Sequence, residues 1–139
     1  MSSPAKHLRD YLVAQAVSTD ATTFDGGDTP ASPDELTVVR DTPGLVPQEF
    51  MGSTASLDQH GVQVLVRAAS KDAGVLRVWA AYRSLKRITH QTLSGTRYVS
   101  VTPITPPFAL GRDEAGITSA GSPGRPMWSV NFLVQRDEP

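Results

Sequence analysis

The amino-acid sequence predicts an α+β fold: an antiparallel or mixed four-stranded sheet, two helices packed on one face, and long loops between the strands. Residues 60–69 and 127–136 alternate apolar and polar side chains, which is the pattern of half-buried strands. Residues 71–88 instead repeat apolar side chains every three or four positions, which is the pattern of an amphipathic helix. Clean alternation is typical of antiparallel sheets with one covered face. We therefore expect the other face to be polar unless a partner covers it.

Two helices are predicted. The first lies at roughly 4–17, where Pro4 stands near the start of a short apolar stripe. The second, at 71–88, follows Ser70, a residue type favoured at the N-cap because its hydroxyl accepts a backbone N–H. Gly74 is a mild defect in the helix propensity of this second segment.

Two further strands are predicted at 36–42 and 96–102, which are rich in β-branched and aromatic residues. The prolines that follow the second of these make 103–110 an edge strand or an irregular extension. The other long segments are predicted to be loops, with one brief extended piece at 22–24. These loops are residues 18–35, 43–59 and 111–126.

The predicted core lies on one face of the sheet and under the second helix. Its members are Val62, Val64, Val66, Trp79, Tyr82, Leu85, Val99, Val101, Trp128, Val130 and Phe132. This core is small for the chain, because only 39% of the residues are hydrophobic and 11 Gly and 11 Pro favour turns.

Composition bounds the class of protein. The 139 residues suit a single domain, 1–139. Without cysteine, the chain has no disulfide, no thiolate metal site and no cysteine nucleophile. No apolar run is long enough for a membrane span, and the first residues lack the apolar core of a signal peptide. We therefore expect a protein that is made in a cytoplasm and has no membrane partner.

Charge is distributed unevenly along the chain. The total is −1, which excludes a histone-like polycation and a strongly acidic tail protein. Residues 1–60 carry three cations and nine anions, a net −6, whereas residues 61–139 carry ten cations and five anions, a net +5. Two interpretations are open: a solvated surface with unevenly placed charges, or two complementary surfaces.

The sequence gives no sign of catalysis. His7, His60 and His90 show no metal-ligand spacing, and we expect them to be polar surface residues. No nucleophile elbow, phosphate loop or dinucleotide fingerprint is present. The acidic residues of 18–35 lack the pattern of an EF-hand calcium loop. We therefore expect neither an enzyme nor a cofactor or metal.

Nucleic-acid binding is the next alternative. Segment 67–97 holds seven arginines and lysines against the single carboxylate of Asp72. Such a basic helix can bind phosphates, or its long side chains can simply flank the apolar stripe and reach water. The overall pI of about 6.3 argues against strong duplex binding.

The loop at 43–59 carries four large apolar residues, Leu45, Val46, Phe50 and Met51. Disordered linkers tend to lack such residues. They either fold onto the core of their own chain or pack on a neighbouring molecule.

Several stretches in one order resemble a known family. They are LRDYLVAQ in the first helix, HGVQVLVRA, a helix with a central W-x-x-Y, LSGTRYVSV, PPFALGRDEAG, and W-S-V-N-F-L-V in the last strand. Together, over about residues 8–136, they resemble the bacteriophage minor capsid proteins interpreted as tail terminators, also called tail completion or head–tail joining proteins.

This resemblance implies a structural virion protein. Such a protein forms a ring, usually a hexamer, at the head-proximal end of a long tail tube, where it stops tube polymerisation and offers a docking surface to the neck. The implied partners are copies of itself, the tail tube protein and a head-closure or connector protein. DNA would pass through the lumen without specific binding, and assembly would take place in the cytoplasm of a host bacterium.

Loops 43–59 and 103–126 are the segments that a ring subunit could use to reach its neighbours, and the basic helix would meet either the acidic side of the next subunit or passing DNA. The candidate interface residues are Leu45, Val46, Phe50, Met51, Arg77, Arg83, Arg87, Phe108, Arg112 and Arg125. Two alternative functions stay open: a head-closure or connector subunit of the neck, and a small ligand-binding or enzymatic α+β domain.

Overall fold

A computed structural model of the chain describes residues 3–26, 35–49, 56–113 and 125–137. Helix α1 is followed by a short 3-10 turn and strands β1 to β3, then by α2 and strands β4 to β7. The bounds are α1 Pro4–Ala14, 3-10 turn Asp20–Thr22, β1 Thr23–Asp25, β2 Leu36–Glu49, β3 Ser56–Arg67, α2 Lys71–Leu85, β4 Thr89–Leu93, β5 Thr96–Pro103, β6 Phe108–Asp113 and β7 Arg125–Asp137.

The strands of the described part form one mixed sheet of seven, in the order β1-β2-β3-β7-β5-β4. β1 runs parallel to β2, and the other pairs are antiparallel. β6 shares one edge of β7 with β5: β6 pairs with the first half of β7 and β5 with the second. The prediction of an α+β fold with a mixed sheet is confirmed, but the prediction of four strands is wrong.

Both helices pack on the same face of the sheet, as predicted. α1 lies over β1 and β2, and α2 lies over β3 and β7. Between them and the sheet lies the main core, which includes Leu8 and Leu12 of α1 and Val78 and Leu85 of α2. Of the eleven predicted core residues, seven are buried: Val62, Val64, Val66, Leu85, Val101, Val130 and Phe132.

The remaining four predicted core residues are less buried. Trp79, Tyr82 and Trp128 are half-buried at the margin of the main core. Val99 lies outside it, and its neighbour Tyr98 is buried instead. The reason is a register shift between Tyr98 and Ser100 where β5 pairs with β7, because an extra residue in one strand changes which side chains face inward.

The second face of the sheet is only partly polar. A row of paired residues crosses five strands in the order Phe24, Val38, Leu65, Ser129 and Phe108. Val38, Leu65 and Ser129 are buried in this row. The expectation of a polar second face is therefore wrong at this end of the sheet, where a second apolar cluster forms.

Farther along the strands, the second face is polar. Gln63 donates to the hydroxyl of Ser129, and the amides of Gln59 and Gln135 bond to each other across β3 and β7. The expected polar character therefore holds for this part of the face.

Segment 43–59 is largely strand, not loop. β2 continues to Glu49 and β3 begins at Ser56, with two register shifts along β2. Proline is tolerated on β2 because β1 pairs only with Thr37 to Val39, which leaves the later edge of β2 without a strand partner in the described part. Gly44 and Gly61 allow the two backbones to approach closely, since a Cβ on Gly61 would lie 2.5 Å from the carbonyl oxygen of Pro43.

Two other strands depart from the prediction. β4 was not predicted as a strand; it forms a tight hairpin with β5 through Ser94 and Gly95, both at positive φ as a type I′ turn requires. β6 occupies part of the predicted extension and the start of the predicted loop 111–126. The brief extended piece near 22–24 is confirmed as β1.

The predicted cap of α2 is confirmed, since the Ser70 hydroxyl accepts the backbone N–H of Ala73 at 3.3 Å. At the start of α1, the Ser3 hydroxyl accepts the backbone N–H of Lys6 in the same way. Both helices end earlier than predicted, α1 at Ala14 and α2 at Leu85.

Candidate functional site

The side of α2 that faces away from the sheet carries apolar and cationic side chains together. Leu76 and Arg83 are seven residues apart and therefore lie on one side of the helix, opposite the buried Val78 and Leu85. Leu76 is 73% exposed, the largest exposure among the large apolar residues described. We call this patch the basic surface of α2; it consists of Leu76, Trp79, Arg83, Lys86 and Arg87.

Aromatic rings hold two of its cations in place. The guanidinium carbon of Arg83 lies 5.8 Å from the centroid of the Trp79 ring, and the Lys86 ammonium lies 4.8 Å from that of Tyr82. Trp79 and Tyr82 meet edge to face at 5.3 Å, and Tyr82 in turn packs near Phe132 of the core. The rings attract the cations and restrict their orientation.

The positive charge of this surface is not neutralised locally. Among the described residues, no carboxylate lies within 4 Å of Arg83, Lys86 or Arg87. The three cations also stand at the carboxyl end of α2, where the helix dipole favours positive charge. The surface is thus a cationic patch with an exposed apolar residue at its side.

Arg77, a predicted interface residue on the same helix, lies apart from this surface. Its side chain turns toward the start of β2, where a terminal nitrogen lies 3.6 Å from a carboxylate oxygen of Glu35. The structure therefore brings Arg83 and Arg87 together and separates Arg77 from them.

A second charged region lies at the β1 edge of the sheet. We call it the acidic flank; it consists of Asp10, Asp20 and Asp25. Arg9 ties this region together, because its guanidinium bonds to the carboxylates of Asp10 and Asp20 and to the carbonyl oxygens of Asp20 and Thr23. Asp25 is exposed and forms no ion pair with any described residue.

The protonation state of Asp10 follows from its two neighbours. Burial raises the pKa of its carboxyl, but hydrogen bonds from Lys6 and Arg9 outweigh that effect and place the pKa below its ordinary value. Asp10 therefore stays charged well into the acidic range.

A chain of polar groups joins α1 to the sheet beneath it. His7 is buried, so the expectation that it is a surface residue is wrong. Its Nδ1 lies 2.6 Å from the hydroxyl of the buried Tyr98, which also interacts with Arg136. Arg136 continues to Asp58 at 3.4 Å, and Asp58 lies 2.6 Å from Nε2 of His60.

The hydrogen-bond donors and acceptors of this network of polar groups define its chemistry. Arginine only donates, so the Tyr98 oxygen accepts from Arg136. The same hydroxyl forms a hydrogen bond with Nδ1 of His7, whose tautomer decides which of the two groups donates. Burial and the charge of Arg136 lower the pKa of His7, which favours the neutral imidazole. Burial raises the pKa of Tyr98 despite the opposing effect of Arg136, so its proton stays in place. This network of polar groups anchors α1 to the sheet. It places no nucleophile next to a base that is free to accept its proton.

A shallow depression of about 180 Å³ lies where the start of α2 meets β6 and β7. It is lined by Lys71, Ala109, Gly111, Pro126, Met127 and Trp128. Lys71 is the titratable side chain in this lining, and a lysine without an acid or base partner does not form a catalytic site.

Residues 3–26, 35–49, 56–113 and 125–137 hold no group of three or more metal-ligating side chains. No helix in these ranges has the length and apolar character needed to cross a bilayer.

The other predicted interface residues are spread over the molecule. Leu45 is 61% exposed on β2, whereas Phe108 is half-buried on the second face of the sheet. Arg125 is half-buried at the start of β7. Val46 and Arg112 lie in β2 and β6, where the structure describes only their backbone, and Phe50 and Met51 lie outside the described residues.

Sequence reasoning missed the apolar part of the basic surface. Leu76 does not stand out in the sequence, because the apolar stripe of the helix draws attention to the residues that face the core. Leu76 lies outside that stripe and seven residues before Arg83, so both side chains lie on the same exposed side of the helix. This spacing is the signal that could have identified it.

Comparison with known families identifies the chain. The profile described as "Bacteriophage tail terminator protein" matches residues 11–138, nearly the whole sequence. The chain belongs to the bacteriophage tail terminator family. It is therefore a structural protein of the phage tail, and the resemblance found in the sequence is confirmed.

The fold of this tail terminator also occurs in a solved structure of a phage-like particle. A chain from a structure titled "Virion of native gene transfer agent (GTA) particle" has a similar fold, with a TM-score of 0.55 and 16% sequence identity. The alignment covers 96% of this tail terminator and 90% of that chain. No curated protein matches the sequence.

Proposed function

We propose that this tail terminator forms a closed ring, a hexamer, at the head-proximal end of the tail tube. There it ends polymerisation of the tube and joins the tail to the neck. The observation that carries the proposal is the family match over residues 11–138. The proposed partners are further copies of the chain, the tail tube protein and a head-closure or connector protein, and assembly takes place in the host cytoplasm.

The charge distribution supports a ring. Copies in a ring meet through two different patches, so one patch can be basic and the other acidic without self-attraction. In the described part, the cations of α2 and the carboxylates near β1 lie on different elements and over different strands. This separation suits head-to-tail contact between copies.

The residues proposed to contact neighbouring molecules include the exposed Leu45 on β2 and the exposed cations of α2. The full set is Leu45, Val46, Phe50, Met51, Arg77, Arg83, Arg87, Phe108, Arg112 and Arg125. An exposed apolar side chain such as Leu45 gains from burial against a partner because it leaves water.

DNA is proposed to pass through the lumen of the ring without specific binding. A lumen that held the genome tightly would hinder its passage, which favours protein as the partner of the basic helix. The overall pI of about 6.3 agrees with weak attraction for DNA.

The experiment adds purified tail terminator to polymerising tail tube protein of the same particle. Tube lengths are measured by electron microscopy across a range of terminator concentrations. We expect tubes to shorten as the terminator concentration rises and a ring to be visible at one end. A tube length independent of the terminator would contradict the proposed termination.

A further inference from the structure

We propose that the basic surface of α2 in one copy binds the acidic flank of the next copy. The pairing places Arg83 and Arg87 against Asp20 and Asp25 of the neighbour, with Leu76 covered beside them. The inference rests on the proposed ring and assigns the two surfaces that close it.

The basic surface has the features of an interface. Leu76 is exposed, and its burial against a partner removes apolar area from water. Arg83 is restrained over the Trp79 ring, so less side-chain entropy is lost when it binds. Arginine and tryptophan are also the residue types that contribute most to binding at protein interfaces.

The acidic flank is fixed in place before any partner arrives. Arg9 holds Asp20 at 2.6 Å and also bonds the backbone of the 3-10 turn and of β1. Asp20 nevertheless remains 79% exposed, and Asp25 is exposed without an ion pair among the described residues. Two exposed carboxylates thus flank β1, that of Asp20 in the preceding 3-10 turn and that of Asp25 at the last residue of the strand.

Within one copy the two surfaces do not meet. Both helices lie on the same face of the sheet, α1 over β1 and β2 and α2 over β3 and β7, but no ion pair among the described residues joins the flank to Arg83, Lys86 or Arg87. A second copy can supply the missing ion pairs, and because the two surfaces differ, that contact is head to tail and can close into a ring.

A second copy explains more of the surface than DNA does. DNA phosphates would suit Arg83, Lys86 and Arg87, but they would leave the exposed Leu76 in water and would be repelled by the acidic flank. The neighbouring copy supplies carboxylates for the cations. Asp25 has no ion pair among the described residues, and Asp20, although paired with Arg9, stays 79% exposed and can accept a second cation.

The test is a charge swap. One variant carries Arg83→Glu and Arg87→Glu; the other carries Ala21→Arg and Asp25→Arg, which makes the flank basic while leaving the Arg9–Asp20 pair intact. Ala21 is suitable because its side chain is exposed in the 3-10 turn. Lys71→Glu, at the exposed start of α2 and outside the basic surface, is the control. Circular dichroism verifies folding, and native mass spectrometry gives the mass of each assembly.

We expect wild type and the Lys71→Glu control to form rings and each swapped variant alone to remain monomeric. An equimolar mixture of the two variants should regain assemblies with a 1:1 composition, since each interface then joins opposite charges in an alternating ring.

Rings formed by either variant alone, or a mixture that stays monomeric although both variants are folded, would overturn this pairing while leaving the proposed ring intact. A variant with Arg83→Glu and Arg87→Glu that forms rings but impairs genome passage would assign the surface to DNA instead. A wild-type protein that stays monomeric with tube protein present would overturn the ring itself.

Discussion

At the scale of single residues, His7 shows how burial and one neighbour determine a protonation state. Its imidazole forms a hydrogen bond with the hydroxyl of Tyr98, and burial and the positive charge of Arg136 both lower the pKa of His7. The folded state therefore disfavours the protonated imidazole relative to the unfolded chain.

The pH dependence of stability follows from that shift. Because the pKa of His7 is lower in the folded state, unfolding takes up a proton as pH falls below about 6.5, and stability decreases. Replacing His7→Asn keeps a side chain that can form a hydrogen bond with Tyr98 but removes the titration. We expect the variant to lose less unfolding free energy than wild type between about pH 7.5 and 5. Urea denaturation at several pH values measures this.

The control for this experiment is His90→Asn. His90 is exposed and has a φ of +48°, a backbone conformation that asparagine tolerates. This variant should keep the wild-type slope. If the unfolding free energy of His7→Asn falls with pH as steeply as that of wild type, the assigned role of His7 is contradicted.

Gly61 is required for the close approach of two strands. A Cβ there would meet the carbonyl oxygen of Pro43 and the side chain of Thr42, and a backbone atom cannot easily move away. We expect Gly61→Ala to destabilise the fold by about 1–3 kcal/mol, as overpacking does. Ala69→Ser, at an exposed position between β3 and α2, should change stability by less than about 0.5 kcal/mol. Chemical denaturation compares the two, and equal stabilities would refute the steric argument.

At the scale of elements, Gly74 reverses what helix propensity predicts. Alanine in the middle of a helix is favoured over glycine by about 1 kcal/mol. A Cβ at Gly74, however, would lie 2.8 Å from a ring carbon of Trp128, and the glycine thus lets α2 pack directly on β7. The contact with the sheet outweighs the local preference.

We therefore expect Gly74→Ala to destabilise the protein by about 1–2 kcal/mol instead of stabilising it. In a double-mutant cycle, Trp128→Phe should make the alanine less harmful, because the smaller ring frees space. Thermal unfolding of the four proteins gives the coupling free energy. A stabilised Gly74→Ala variant would show that the indole moves aside freely.

The elements that could be predicted are those whose pattern is local. The alternation of 127–136 and the apolar stripe of 71–88 each identify one element, and Ser70 identifies where the helix begins. The extension of β2 to Glu49 could not be predicted, because Pro43 and Pro47 give a local loop signal while the pairing with β3 is a long-range interaction. The residue types within a short segment do not reveal which distant strand it pairs with.

The side chains inside an element were harder to assign than the element itself. Strand β5 is confirmed, but the alternating pattern predicts that Val99 faces the core. The register shift next to Tyr98 turns Tyr98 inward in place of Val99. A single extra residue in a strand changes the face of every residue beyond it.

At the scale of the whole molecule, the sequence predicted the cations of the candidate site but not its apolar part. Arg83 and Arg87 stand out as charges in the sequence, whereas Leu76 looks like any other helical leucine until the structure shows it exposed. Arg77 looked equivalent to Arg83 in sequence, yet it lies near Glu35. Only the packing of α2 on the sheet separates these cases.

Assembly of the proposed ring should depend on salt. Exposed charges more than about 10 Å apart are largely screened at 0.1 M salt, and closer exposed pairs weaken as salt rises further. We expect the fraction of ring to fall as sodium chloride rises from about 0.05 to 0.5 M. Light scattering after size-exclusion chromatography measures it. A ring fraction that rises with salt would indicate an interface held by apolar contacts.

The role of the molecule is tested most directly by the lengths of tails made without it. Particles are produced with the gene for this chain deleted, and tail lengths are measured by electron microscopy beside those of the complemented strain. The account predicts overlong or unfinished tails of variable length, restored to one length by complementation. Tails of normal, uniform length beside unjoined heads would contradict it and assign the chain to closure of the head.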